Sequence, residues 1–327
     1  MAHAGVLDVL DEEGIPIDYI AGCSSGAIIA ASYACGTLRN LKRELVDTLS
    51  RKELFSMLGP SENTSGFFTL DKARERLKRY VQGNLEDVKP QLAFVTVDVE
   101  TGEQIAISMG DMLNAIIASC SLPGLFETIK WGNRNLVDGG LLNIVPSDVV
   151  RTMGADIVIA VDIAASRYVF AESTLKIIEW LIRFIKFTDF PYSVGKRIVN
   201  WLKAFLIKGN YFQFYSQSDF IDESEKLPSI IHVMAKVIEI SRWRQQHVIP
   251  FESLSDFILE PKVKHFERTD FSLMRQSYLE GRRAAKAAVP QIVKMIEDIK
   301  LGKRVPLPGN YTRDTLMGDL NSGFQKL

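Results

Sequence analysis

Cysteine is scarce in this chain of 327 residues, with only Cys23, Cys35 and Cys120. An odd, sparse set without metal-ligand spacing argues against a disulfide framework and for a reducing compartment. Charge bias is lacking too. Lys and Arg total 39 and Asp and Glu 40, for a net charge of -1. That balance argues against a nucleic-acid partner and confines any basic surface to a local patch. The N-terminus shows no basic region followed by an apolar run, so no signal peptide is expected. Long apolar runs are few. Tyr19 to Leu38 carries no charge and has the length of a membrane span. Its glycines (Gly22, Gly26, Gly36) and serines lower its apolar density, and a strand, a tight turn and a buried helix describe it better.

What is present is ordinary globular composition, 46% hydrophobic and 24% charged. Residues 4–13 read as a short amphipathic helix ended by Gly14 and Pro16. Ile17 to Ala21 reads as a strand, Gly22 to Gly26 as a turn, and Ala27 to Cys35 as a buried helix stopped by Gly36. Residues 38–88 read as helical, with a polar loop at Gly59 to Gly66. Leu92 to Val99 and Gln104 to Ser108 read as strands, and 111–120 as a helix. Ile157 to Ile163 suits a parallel strand buried on both faces. Ile230 to Arg244 reads as helical, Phe257 to Leu259 as a short strand, and Leu273 to Ile299 as a long helix with Pro290 as a kink or restart. Strands alternating with helices predict an α/β fold, a three-layer α/β/α sandwich with a mostly parallel sheet and an inserted helical segment.

Gly22-Cys23-Ser24-Ser25-Gly26 matches G-x-S-x-G between a predicted strand and a predicted helix. A nucleophilic serine must project from a turn too tight for side chains on its neighbours, and Gly22 and Gly26 remove that clash. The following helix points its positive end at the developing oxyanion, where the Ser25 backbone is a candidate donor. Ser24 then needs a base. The four histidines, His3, His232, His247 and His265, sit in no turn or Gly-rich context that would place them over Ser24. Asp138 ends an apolar segment and precedes Gly139 and Gly140. Read alone it suits a turn-forming Asp and a general base equally.

Together these residues resemble the patatin-like phospholipase family. The resemblance runs through AHAGVLDVLDEEGIPIDYIAGCSSGAIIAA (2–31), TVDVETGE (96–103), AIIASCSLPGLFE (115–127) and LVDGGLLNIVPSDVVRTMGADIVIAVDI (136–163), with a bacterial-type segment at 271–292. It implies a Ser–Asp dyad of Ser24 and Asp138 without a catalytic histidine, a metal or a cofactor. It also implies phospholipid or lysophospholipid esters as substrates. In the family a strand and a G-G-G-x-R-G oxyanion loop precede the A-H-x-G-V-L segment. Here Met1 stands directly before Ala2-His3, and truncation of a longer protein is the expected explanation.

Residues 174–208 hold seven basic and two acidic residues among Ile177, Trp180, Phe184, Ile198, Trp201 and other apolar positions. Such a pair of helices suits docking on an anionic membrane surface, and equally packing as a lid or dimer face. The expected organisation is a patatin-like core at 1–164, an amphipathic helical insertion at 165–226, the remainder of the core at 227–302 and a tail at 303–327. A cytoplasmic location, peripheral at the membrane, is expected. A serine acyl-ester hydrolase is the leading reading. An acyltransferase on the same dyad and a catalytically impaired lipid-binding relative stand beside it, with a Ser–His–Asp hydrolase behind them.

Overall fold

A computed structural model describes residues 1–48, 53, 57, 59–61, 65–163, 233, 237, 251–263 and 273–303. The 165–226 insertion, nearly all of 230–244, nearly all of the 303–327 tail, and His232, His247 and His265 lie outside the described residues.

The chain opens with α1 (Ala2–Glu12), which buries Val6, Val9 and Leu10. β1 (Tyr19–Cys23) follows and leads through Ser24 into α2 (Ser25–Ala34). β1 reaches two residues further than its apolar run predicts, so Gly22 and Cys23 are strand and only Ser24 turns. α3 (Leu38–Arg43) continues into a π-helical turn at Glu44–Thr48. The region read as a polar loop contributes β2 (Gly59–Pro60) and β3 (Gly66–Thr69), followed by α4 (Asp71–Leu77).

β4 (Gln91–Asp98) is the centre of the molecule. It is buried at every position after the first, and β5 (Gln104–Ile107) returns against it. α5 (Met112–Cys120) starts at Asp111, whose carboxylate accepts the Asn114 N–H in an N-cap. β6 (Gly124–Phe126), β7 (Ile129–Trp131) and β8 (Arg134–Asp138) come next. A single 3-10 turn at Gly139–Leu141 leads to α6 (Ser147–Met153). β9 (Ile159–Val161) pairs in parallel with β10 (Phe257–Leu259), and α7 (Met274–Lys300) closes the described chain.

The α/β class is as the sequence predicts, but the sheet is mixed rather than mostly parallel. β4 pairs in parallel with β1 and antiparallel with β5 and β8, and β7 is antiparallel to β8. Hairpin returns such as 99–103 between β4 and β5 are too short for a parallel crossover. Alternation along β4 makes the layers. Leu92 and Phe94 pack with Ala27, Ala30, Met112 and Ile116 of α2 and α5. Ala93 and Val95 face the other way, onto Val149 of α6. Val233 and Val237, both helical, join Val97, Val99 and Val137 on that second face.

Two expectations need correction. Ile157 to Ile163 is not a long strand buried on both faces. Only Ile159–Val161 pairs, because its partner β10 is three residues long, and Ile159 and Val161 stay half-buried. Pro290 does not restart the last helix, which runs through it as one 27-residue element. The carbonyl left without a donor there belongs to Lys286, and both residues are exposed, so water can satisfy it.

Candidate active site

The register on β4 brings the site together. β5 occupies one edge of β4 across Phe94 to Val97, so β1 and β8 must share the other edge. β1 arrives in parallel and ends with Cys23 opposite Val95. β8 arrives in the opposite direction and ends with Asp138 opposite Thr96. The two strands meet end to end on adjacent residues of one template. Whatever follows Cys23 must lie beside whatever follows Asp138, although 115 residues separate them.

Ser24 is the turn itself. Its backbone sits at φ 53° and ψ -121°, the one positive φ on a non-glycine among the described residues. Such a conformation costs on the order of 1–3 kcal/mol and persists only where its surroundings impose it. A Cβ on Gly22 would stand 2.8 Å from the Ala27 backbone, so only glycine lets β1 run this close to α2. At Gly26 a Cβ would meet nothing within 4 Å, so crowding does not require glycine there. The Ser24 N–H donates to the Ser119 hydroxyl at 2.9 Å, while Ser25, exposed, opens α2 with its first-turn N–H among the orphan donors of a helix start.

Asp138 is 2% exposed and caps the Gly139–Leu141 turn. Its Oδ1 accepts the Gly140 N–H at 2.8 Å and the Cys23 thiol at 3.6 Å. Its Oδ2 is buried without a hydrogen-bond partner among the described residues. Burial pushes the carboxyl up to about 6, opposed by the Gly140 N–H, the Ser24 hydroxyl and the Cys23 thiol, which favour the charged form. Ser24 is thus near enough to act on the carboxylate, yet no bond of ordinary geometry reaches Oδ2. A long contact of this kind is common in a site without substrate. Gly139 must be glycine, because a Cβ there would lie 2.3 Å from the Val95 carbonyl oxygen. A Cβ on Gly140 would come within 3.1 Å of Asp138 Oδ1. Cys120 lies in the same cluster. Burial raises its thiol, the Asp138 charge adds to this, and the Ser24 hydroxyl opposes it.

Residues 1–151 match the family model described as patatin-like phospholipase. That segment carries the likeness to the patatin-like phospholipase family. Across the whole chain, the mouse protein named patatin-like phospholipase domain-containing protein 6 is 25% identical over 336 residues, which is 22% of its own length. An uncharacterized NTE family protein of Mycobacterium bovis is 28% identical over 197 residues, 59% of this chain and 54% of that protein. Another, from Mycobacterium tuberculosis, is 34% identical over 169 residues, half of this chain and 28% of that protein. The chain spans about a fifth to a half of the length of these relatives.

Sequence reasoning places Ser24, Asp138, Gly22, Gly139 and Gly140 of this patatin-like region at one spot, and the structure does the same. It gives no structural need for glycine at 26. Of the histidines, His3 is the described one. Burial pushes it down to about 4, and its backbone contact is with Val161. Among the described residues, no histidine is one of the groups acting on Asp138. The S-x-S-x-P-G segment at 119–124, part of the family resemblance, includes Ser119 but assigns it no role; its hydroxyl is buried at the elbow, and the thiols of Cys23 and Cys120 join the site unforeseen. A further signal for Ser119 is a hydroxyl inside a helix whose neighbours at 115–118 are all apolar. Sequence reasoning also missed the bracing of the loop after Asp138. Asn143 donates to Gln104 at 3.0 Å and to Asp148 at 2.6 Å, and Gln104 donates to Asp148 at 2.9 Å.

Proposed function

We propose that this protein is a serine acyl-ester hydrolase acting on phospholipids or lysophospholipids, with Ser24 as nucleophile and Asp138 as general base. The observation that carries the reading is a strained serine at the start of a helix, set beside a buried carboxylate with one oxygen unpartnered among the described residues. A strained non-glycine backbone and a raised carboxyl together mark a functional site more often than a structural one. The names of the relatives support lipid esters as the substrate class.

In the first half-reaction Asp138 Oδ2 takes the Ser24 Oγ proton as Oγ attacks the ester carbonyl. The oxyanion forms at the N-terminus of α2, with the Ser25 N–H directed to it. Asp138 returns the proton to the departing lysolipid or glycerol oxygen, leaving the acyl group on Ser24. Water, deprotonated by the same carboxylate, then releases the fatty acid. With its pKa near 6, Asp138 is ionised at neutral pH yet basic enough to accept a proton.

Hydrolysis of a lysophospholipid by the full-length protein tests this. Ser24→Ala and Asp138→Asn are each expected to lower kcat by at least about 1,000-fold, as loss of a nucleophile or its base does. His3→Gln should stay within about three-fold. The wild-type rate should rise through about pH 6 as Asp138 ionises. Activity that survives Asp138→Asn and disappears with a histidine substitution would replace the dyad with a histidine-dependent mechanism.

A further inference from the structure

We infer that Ser119 is a positioning residue for the Ser24–Asp138 pair: its hydroxyl takes the place of the sheet bond that is lost where β1 turns off β4. The inference rests on the catalytic reading of Ser24 and goes beyond it, because it says what holds the nucleophile in its strained conformation.

The geometry is specific. The parallel ladder between β1 and β4 ends at Cys23 opposite Val95. One residue later the chain is at positive φ, so the Ser24 N–H cannot continue the ladder. That N–H donates to Ser119 Oγ at 2.9 Å, and Ser119 Oγ donates to the Val95 carbonyl at 2.8 Å. The hydroxyl is fully buried, and its donor and acceptor roles are both in use. The Val95 oxygen is also the atom against which Gly139 packs, so one carbonyl fixes both halves of the site. The end of α5 holds Asp138 as well, since the Asp138 N–H donates to the Ser121 carbonyl at 2.9 Å. Ser121 turns its own hydroxyl back to the Ile117 carbonyl at 2.8 Å, an ordinary helical side-chain bond with no link to the elbow.

Occupying the Ser24 N–H has a chemical consequence. That group is not free to bind an oxyanion, which leaves the task at the elbow to the Ser25 N–H. Without the Ser119 hydroxyl, the Ser24 N–H and the buried Val95 carbonyl would both lose the partner they have here. The cheapest relief is for Ser24 to relax out of its positive φ, taking Oγ away from Asp138.

The test compares wild type, Ser119→Ala, Ser119→Cys and Ser32→Ala in the full-length protein, using a fluorophosphonate probe to count active sites and a soluble ester to measure turnover per site. Ser32 is an equally buried serine whose hydroxyl bonds the Ile28 carbonyl at 2.9 Å, and it serves as the control for merely losing a buried hydroxyl. Ser119→Ala is expected to lower kcat per labelled site about 30- to 300-fold with KM changed less than about three-fold. Ser32→Ala should leave kcat per site unchanged even where its melting temperature falls. Ser119→Cys keeps the shape with a weaker donor and should lose at least about five-fold, so the inference stays testable if the alanine variant does not fold. Wild-type kcat per site in Ser119→Cys, or in a folded Ser119→Ala, would overturn the positioning role. An unlabelled wild type would instead overturn the nucleophile reading on which it rests.

Discussion

Asp138 is buried with its carboxyl at the end of β8, and that burial sets how the protein's stability depends on pH. Burial raises the carboxyl to about 6, whereas an unfolded aspartate ionises near 4. Between those values the folded chain holds a proton that the unfolded chain releases. Folding stability therefore falls as pH rises from about 4 to 6, and the deficit stays constant above that window. Asp138→Asn should stabilise the protein by about 2–3 kcal/mol more at pH 8 than at pH 3, read from urea unfolding at the two values. A gain independent of pH would mean that the folded-state carboxyl is not raised. In the sequence Asp138 was visible through its D-G-G context, but its unpartnered Oδ2 was not, because that depends on Gly140 and Cys23 both choosing Oδ1. Gly22 and Gly139 could be read as close approaches. Gly26 carried the same pattern without the crowding, so motif spacing alone overstated its role.

At the scale of elements, β4 and α5 were legible because an apolar run fills nearly the whole of each, and β1 was legible in part because its run overlaps the strand at Tyr19 to Ala21. The sheet's direction was not, since pairing depends on which edge of β4 each strand finds. β6 and β7 are three residues each, too short for a period to show, and β2 contains Pro60. The docking of α7 on α1 also lies beyond the reach of local pattern. Gly5 and Gly281 let the helices touch: a Cβ at 281 would fall 2.0 Å from the Ala2 carbonyl oxygen, and one at 5 would fall 2.1 Å from that of Tyr278. Around this contact Lys42 bonds Asp8 at 2.6 Å, Tyr278 bonds Asp8 at 2.6 Å, and Arg282 pairs with Glu12. Gly281→Val should destabilise the protein by about 2–4 kcal/mol, because backbone cannot yield to the added atoms. Chemical denaturation checks this, and a loss under about 0.5 kcal/mol would mean that the helices do not cross there.

At the scale of the molecule, the site lies where two strands converge on β4, and the amphipathic stretch at 174–208 lies outside the described residues. No helix among the described residues is long and apolar enough to cross a membrane. We propose that 174–208 docks on anionic bilayers and brings the site to its lipid, its seven basic residues supplying the attraction. Deleting 174–208 should abolish sedimentation with anionic liposomes while hydrolysis of a water-soluble ester persists; undiminished sedimentation of the folded deletion would refute it. The central claim is that Ser24 is the nucleophile. Labelling of the full-length protein with a fluorophosphonate, followed by mapping of the modified peptide, tests it most directly. One adduct is expected, on Ser24, absent in Ser24→Ala and strongly slowed in Asp138→Asn. An adduct elsewhere, or none on the folded protein, would contradict it.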